Sequence, residues 1–434
     1  MAYGLNCVSM QTTALNPSDT LTLVFALALA ANLLLKLWLA TRQIRHVATH
    51  RDVVPPAFSS TINLTAHQRA ADYTLVKTRF GLIELAWGAA LTLAWTLLGG
   101  LSAFIHLLLD AMGSSLWQQL ALVGVFAAVN SLLELPFSLY ATFVIEARFG
   151  FNKTSAKLWL QDLVKSLALG LLIGGPLLAL VLWLMAAAGH MWWSWTWGVW
   201  MGFNLLAMLI YPTWIAPLFN KFQALDDVTL TERVRALMQR CGFQAQGFYV
   251  MDGSKRSAHA NAYFTGFGAS KRVVFYDTLL ARLTPDEVDA VLAHELGHFK
   301  HKHILKRTMS IFAISLAGFA VLGWASAQVW FYTGLGVMPN LAGANDALAL
   351  LLFMLALPSF TGFLGPIFAQ ISRKHEFEAD AYAIAQTRGS DLASALLKLY
   401  EDNASTLTPD PLYVKFYYSH PPASERLGRM LATA

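Results

Sequence analysis

Apolar residues in this chain gather into long unbroken runs, and polar residues into the stretches between them. Seven runs reach roughly the 20 residues that cross a bilayer as a helix: Leu21–Ala40, Leu82–Leu101, Trp117–Leu139, Ser166–Ala187, Trp195–Trp214, Ser310–Trp330 and Leu348–Phe368. Ser102–Asp110 can extend the second run. The first is too long, and too poor in preceding basic residues, for a cleaved leader. The pattern divides the chain into five spans with their connections (1–219), a polar segment (220–305), two more spans (306–371) and a polar end (372–434).

Within 220–305 the apolar spacing shortens to the periods of ordinary helices and strands. Thr229 followed by Glu232 predicts a capping box opening a helix that stops at Gly242. "GFYVMDG" and "KRVVFYD" have the β-branched and aromatic character of short strands, and "NAYFTGFG" fits between them. Thr284, Pro285 and Glu287 supply an N-cap, an N1 proline and an N3 acid in order, so a helix begins at Pro285.

Composition agrees with a polytopic membrane protein: 56% of the 434 residues are hydrophobic and 13% charged. The net charge of +5 would suit an anionic partner, but its distribution says otherwise. Lys and Arg are missing before the first span and from Ser102–Leu116, Ala188–Ser194 and Phe331–Ala347; they fill the alternate segments, Lys36 sitting close enough to a span end to snorkel. This positive-inside pattern predicts an outside N-terminus and cytoplasmic polar segments, and it leaves no basic surplus for nucleic acid. Cys7 and Cys241 fall on opposite sides, which argues against a disulfide. "MWWSWTWGVW" (191–200) falls at an outer span end, where an aromatic belt is expected.

Two turns into the Pro285 helix the chain reads HELGH. His294 and His298, at i and i+4, project from one helical face and can chelate one ion, while Glu295 can reach a water on that ion without ligating it. The chemistry needs this set: zinc brings water to a pKa of about 7 and a carboxylate takes its proton. A third ligand is required. His301 and Ile304 stand where the metzincin pattern has Gly and His, which excludes that class. The Lys-flanked "KHKH" containing His301 and His303 reads as a basic collar at the membrane surface. "SRKHEFEADAYAIAQ" (372–386) offers Glu376 as third ligand, with His375 as the weaker alternative. Asp380, one turn on, can accept the spare N–H of a ligating imidazole, and Glu378 points to another face. By spacing alone this stretch reads equally well as a solvated charged helix.

Taken in order, HELGH, "SRKHEFEADAYA" and "HPPASERL" resemble the type I CAAX prenyl proteases, integral-membrane zinc metallopeptidases. "RFGFNKTSAKLWLQD" (148–162), "PTWIAPLFNKFQAL" (212–225) and "DGSKRSAHANAYFTGFGASKRVVFYDTLL" (252–280) extend the resemblance from the second span to the C-terminal segment. It implies a polytopic α-helical fold: seven helices around an intramembrane chamber, with a small mixed α/β zinc-peptidase domain at its cytoplasmic end. It implies one zinc held by His294, His298 and Glu376, Glu295 as general base, and Asp380 behind a ligand. His420 would steady the substrate carbonyl with Arg426 nearby, and Asn261 and Ala262 would pair with substrate main chain. The implied substrates are CAAX-type prenylated, or other membrane-associated, peptides and proteins, met among membrane lipid; the sequence specifies no oligomeric state. A quality-control protease with no prenyl requirement is the nearest alternative, and a transporter or receptor with structural zinc a remoter one. Glu84, Asn130, Glu134 and Asn204 suit a wet interior, although interhelical hydrogen bonds serve the two asparagines as well. Compact loops, a "LATA" end without a lysine-based retrieval signal, and the Ala, Leu and Trp usage depart from eukaryotic members. They point to a bacterial chain in a cytoplasmic membrane.

Overall fold

Each apolar run becomes helix, and most helices outlast the run that predicts them. A computed structural model describes residues 16–244, 247–265 and 272–432; Cys7 and the rest of the N-terminal tail, like residues 266–271 of the strand motif, lie outside the described residues. The membrane helices are α1 (Pro17–Thr49), α2 (Leu64–Trp95) with α3 (Gly100–Met112), α4 (Leu116–Glu146), α5 (Ala156–Ala187) and α6 (Gly189–Phe219). The second expected span is thus a bent pair, with 47° between α2 and α3. Gly99 makes the corner with φ at +84°, a left-handed backbone that glycine adopts without strain. At the polar ends, caps rather than hydropathy set the limits: the side chain of Asn16 accepts from Asp19 N, and that of Asn63 from Ala66 N.

A four-stranded sheet follows, in the order β1 (Phe222–Ala224), β2 (Gly247–Met251), β4 (Arg272–Tyr276), β3 (Ala262–Thr265). β2 and β4 are parallel, and the two outer pairings are antiparallel. β3 is therefore an edge strand. Its lead-in is tied to the membrane half: Asp162 on α5 takes both prongs of Arg256 at 2.9 and 3.0 Å, and Ala258 N donates to Phe151 O. Helix α7 (Val228–Arg240) is capped by Asp227, which accepts from Leu230 N. The expected box at Thr229 loses to this Asp two residues earlier, whose short carboxylate reaches the open N–H directly.

Helix α8 (Pro285–Lys300) begins with the predicted box, Thr284 and Glu287 satisfying each other's backbone N–H. Then come α9 (His303–Ala325), α10 (Asp346–Thr361), α11 (Gly365–Gln386), α12 (Gly389–Asp402), α13 (Pro411–Tyr417) and α14 (Ala423–Ala432). α10 and α11 form one nearly continuous apolar-to-polar rod, so the last span delivers its polar end beside α8. The described residues hold six helices long and apolar enough to cross a membrane, or seven with the bent pair. One core joins Val288, Leu292 and Leu296 of α8 to Leu237, Phe275 and Leu396; another, within the spans, is built on Phe25, Leu101, Leu182 and Leu352.

Among the described residues one cavity lies within the membrane helices and a second between them and this domain. The first, about 770 Å³, is bounded by α1, α2 and α10, with Leu29, Leu33, Leu85 and Met354 on its wall beside Asn32 and Glu84. The second, about 640 Å³, reaches His259, His420 and Arg426. Lys77, Thr78, Tyr413 and Tyr417 line both, so the two adjoin. Of the other polar residues expected inside the spans, Asn130 accepts from Trp95 Nε1 across the α2–α4 contact, and Asn204 donates to Trp200 O on its own helix.

Candidate metal centre

Helices α8 and α11 cross where α8 has no side chain. A Cβ on Gly297 would stand 2.8 Å from Ala379 Cα and 3.0 Å from Ala379 O, so only glycine permits this approach. The close crossing sets the polar face of each helix against the other. His294 Nε2 and His298 Nε2 lie 3.3 Å apart, and each lies 3.4 Å from an oxygen of Glu376. Nitrogen and oxygen ligands about 2.0–2.1 Å from a tetrahedral ion are about 3.3–3.4 Å from one another. His294 faces Glu376 Oε2 and His298 faces Oε1, so the two rings and the carboxylate enclose a position with the donor spacing of a ligand set around one divalent ion.

The electrostatics point the same way. Glu376 and Asp380 side chains are each 5% exposed, and Glu376 Oε2 has no hydrogen-bond partner. Its nearest partners are His294 Nε2 at 3.4 Å and Arg426 Nη1 at 4.0 Å, and a buried carboxylate oxygen so weakly met is costly unless a cation joins it. Burial disfavours charge on His294, yet Asp380 and Glu376 outweigh it and hold the ring's pKa up at about 9. Burial, and then the charge of His294, push His298 down to about 4. The carboxylates packed around His294 thus favour positive charge at that ring.

Each ring is gripped from behind. Asp380 Oδ1 lies 2.9 Å from His294 Nδ1 and fixes that proton, turning the Nε2 lone pair inward. Arg426, buried on α14, donates to both oxygens of Asp380 at 2.9 and 2.5 Å. Expected beside the substrate, Arg426 does line the second cavity, but its guanidinium is committed to Asp380. Behind His298 stands His303, with the two Nδ1 atoms 3.0 Å apart, and His303 Nε2 is 2.8 Å from Glu378 Oε2. An imidazole that ligates through Nε2 carries its proton on Nδ1, so His298 donates to His303, and His303 donates onward to Glu378. The collar reading is corrected for His303, which is buried. Glu378 points to another face than Glu376, as expected, and α9 brings His303 over that face. Hydropathy assigned this histidine to the surface because it adjoins three basic residues; only the α8–α9 turn, with Lys302 at φ +56°, folds it back.

Glu295 sits one step round α8 from both ligands, and burial raises its pKa above the ordinary carboxylate range. His420 Nε2 lies 3.4 Å from Glu376 Oε1 with its side chain 62% exposed, open to the second cavity, and Ser419 Oγ bonds its Nδ1 at 2.9 Å. Asn261 leads into the edge strand, which Ala262 begins; the Asn261 side chain accepts from Ala262 N, while its carbonyl accepts from Tyr276 N. The residue two before them, His259, hydrogen-bonds Asn403 and lines the cavity that holds His420. Arrangement and charge suit water activation beside a carbonyl. The sequence reading missed Gly297 as the crossing point and His303–Glu378 as a support; the small residue inside HELGH was the available sign of the first.

Comparison with known proteins bears on the whole chain. Residues 43–221 match the family described as CAAX prenyl protease N-terminal, five membrane helices, and residues 224–434 match peptidase family M48. CAAX prenyl protease 1 of Saccharomyces cerevisiae is 34% identical over 408 residues, covering 86% of this chain and 87% of its own. The Homo sapiens homolog is 29% identical, with 89% and 90% covered. The crystal structure of S. mikatae Ste24p superposes with a TM-score of 0.88 at 32% identity, over 94% of this chain and 99% of that one. These relatives are eukaryotic and lend no support to the bacterial source expected from composition. The chain belongs to the CAAX prenyl protease family of M48 peptidases, and is a multi-pass integral-membrane metalloprotease.

Proposed function

We propose that the chain is a zinc endopeptidase that cleaves prenylated CAAX-type proteins at a site facing the cytoplasm. The observation that carries this is the mutual spacing of His294 Nε2, His298 Nε2 and the buried Glu376 carboxylate, 3.3–3.4 Å, which is that of ligands on one tetrahedral ion. Two imidazoles and one carboxylate, with a position left for water, suit a catalytic zinc. When bound, zinc supplies the Lewis acidity that makes water a nucleophile near neutral pH.

The chain's own residues do the rest. Glu295 takes the proton of the attacking water and passes it to the leaving amine; its raised pKa makes it the stronger base. His420 donates to the carbonyl oxygen as charge develops there. Asp380, held by Arg426, keeps His294 in the ligating tautomer. The outer edge of β3 at Asn261 and Ala262 pairs with substrate main chain, which keeps the scissile bond extended.

The apolar cavity beside α1 and α2 supports a lipidated substrate, because it adjoins the His420 cavity and offers a prenyl chain about 770 Å³. The cytoplasmic orientation rests on the Lys and Arg distribution. The test is one CAAX peptide presented to the purified protein with and without its prenyl group. Cleavage of the prenylated form should be at least about tenfold faster in kcat/KM, the equivalent of about 1.4 kcal/mol of apolar binding. It should stop on chelation and return with zinc. Equal rates would remove the prenyl group from the account and favour a quality-control protease.

A further inference from the structure

The catalytic centre does not use the whole histidine cluster. On the far side of His298, His301, buried His303 and Glu378 each offer a ligand atom, all within 4.8 Å of one another. The set comes from two places brought together by folding: the α8–α9 turn supplies both histidines and α11 supplies the carboxylate. It shares no residue with the His294–His298–Glu376 centre.

We propose that His301, His303 and Glu378 form a second, lower-affinity site for a zinc-class divalent ion, and that its occupancy inhibits the protease. Two imidazoles and a carboxylate are a donor set for borderline-soft ions rather than for calcium or magnesium. The rings are already ordered. The rings of His301 and His375 both lie nearly parallel to that of His303, at 5.5 Å and 14° and at 3.9 Å and 13°. His303 Nε2 and Glu378 Oε2, at 2.8 Å, need to open by only about 0.5 Å to admit an ion at ligand distances of about 2.0–2.1 Å. His301 must close inward from the partly exposed rim, which makes this the weaker site. Lys374 Nζ, 3.9 Å from Glu378 Oε1, has a side chain 77% exposed and can withdraw to solvent.

The link to catalysis is His303 itself. Its Nδ1 is the acceptor behind His298. An ion on its Nε2 takes the lone pair there and leaves the ring's one proton on Nδ1, so His303 no longer accepts from His298; two N–H groups then face each other at 3.0 Å, and His298 loses the support that orients it toward the catalytic ion. Repulsion between the two cations acts in the same direction.

The site goes beyond the proposed function and is tested separately from it. Zinc bound per chain is measured by equilibrium dialysis on purified full-length wild type, His301→Ala, Glu378→Gln and His294→Ala, with peptide cleavage followed across the same zinc range. Wild type should bind two ions and lose activity as the second binds. His301→Ala should bind one, keep wild-type cleavage at low zinc, and need at least tenfold more zinc for inhibition; Glu378→Gln should also bind one. His294→Ala should lose the tight ion and keep the weak one. Two ions on His301→Ala, an unchanged inhibition curve, or a wild type that zinc does not inhibit would each overturn the proposal. Two ions on His294→Ala would instead overturn the catalytic ligand set.

Discussion

Replacing Gly297 with Ala tests whether the metal centre depends on how closely two helices cross. The added methyl would stand 2.8 Å from Ala379 Cα and 3.2 Å from Tyr382 Cβ, against an optimal carbon–carbon separation of about 3.5–4.0 Å. Its obstacles are backbone and a Cβ, so no flexible chain end can swing aside, and α8 and α11 must part by about 0.7–1.2 Å. His294 and His298 ride on α8 and Glu376 on α11, with 3.4 Å between donors. Metal sites tolerate about 0.2 Å in ligand distance, so the parted helices cannot keep all three ligands on one ion. Overpacking should lower stability by about 1–3 kcal/mol, and metal affinity should fall on the order of 10–100-fold. Competition with a chromogenic chelator reads the affinity and thermal unfolding in detergent reads the stability. Gly124→Ala on α4 is the control: no atom lies within 4 Å of its added methyl, and removing a helical glycine there should be neutral or stabilising by up to about 1 kcal/mol. Wild-type metal affinity and Tm in Gly297→Ala would refute the reasoning. A lowered Tm with unchanged affinity would keep the packing and sever it from the ligands.

Two further predictions concern protons. Metal must displace the proton that Asp380 and Glu376 hold on His294 up to about pH 9; apparent affinity of the metal-free protein should therefore climb about tenfold per pH unit from pH 6 to 8 and level near 9, and a flat profile in chelator competition over that range would contradict this. Burial acts against ionised Glu287, but Lys398 at 2.7 Å, Ser394 at 2.6 Å and Thr284 N outweigh it and depress its pKa. A depressed carboxyl stabilises the fold above its unfolded pKa and loses that contribution as pH falls through the folded value. Glu287→Gln should therefore cost about 1–2 kcal/mol at neutral pH, discounted because Lys398 is 37% exposed. The gap to wild type in Tm should close below the ordinary carboxylate range; a gap that persists there would point to the cap alone.

Much of this was legible in the sequence because it rests on local spacing. Bilayer-length apolar runs have few ways to fold, and Thr284–Pro285–Glu287 can satisfy its open N–H groups without outside help. Residues at i and i+4, as in His294/His298 and Glu376/Asp380, share a face wherever the helix lies. What escaped depends on contacts distant in the chain. The bend at Gly99, the burial of His303 under Glu378, and the commitment of Arg426 to Asp380 across 46 residues are set by packing. Helices also ran past the apolar limits: α1 continues to Thr49 because Arg42 and Gln43 find partners in Asp410. Hydropathy measures what a bilayer holds, and says nothing of where a helix stops in the domain below it.

The account stands on one carboxylate. In Glu295→Gln the isosteric amide keeps the shape beside the ligands but cannot take a proton from water. Single-turnover cleavage of a peptide by the metal-loaded variant should fall on the order of 10²–10⁴-fold, with metal content and Tm unchanged from wild type. Turnover within about threefold of wild type, with the metal in place, would contradict the assignment of Glu295 as base and with it the reading of this centre as the site of peptide hydrolysis.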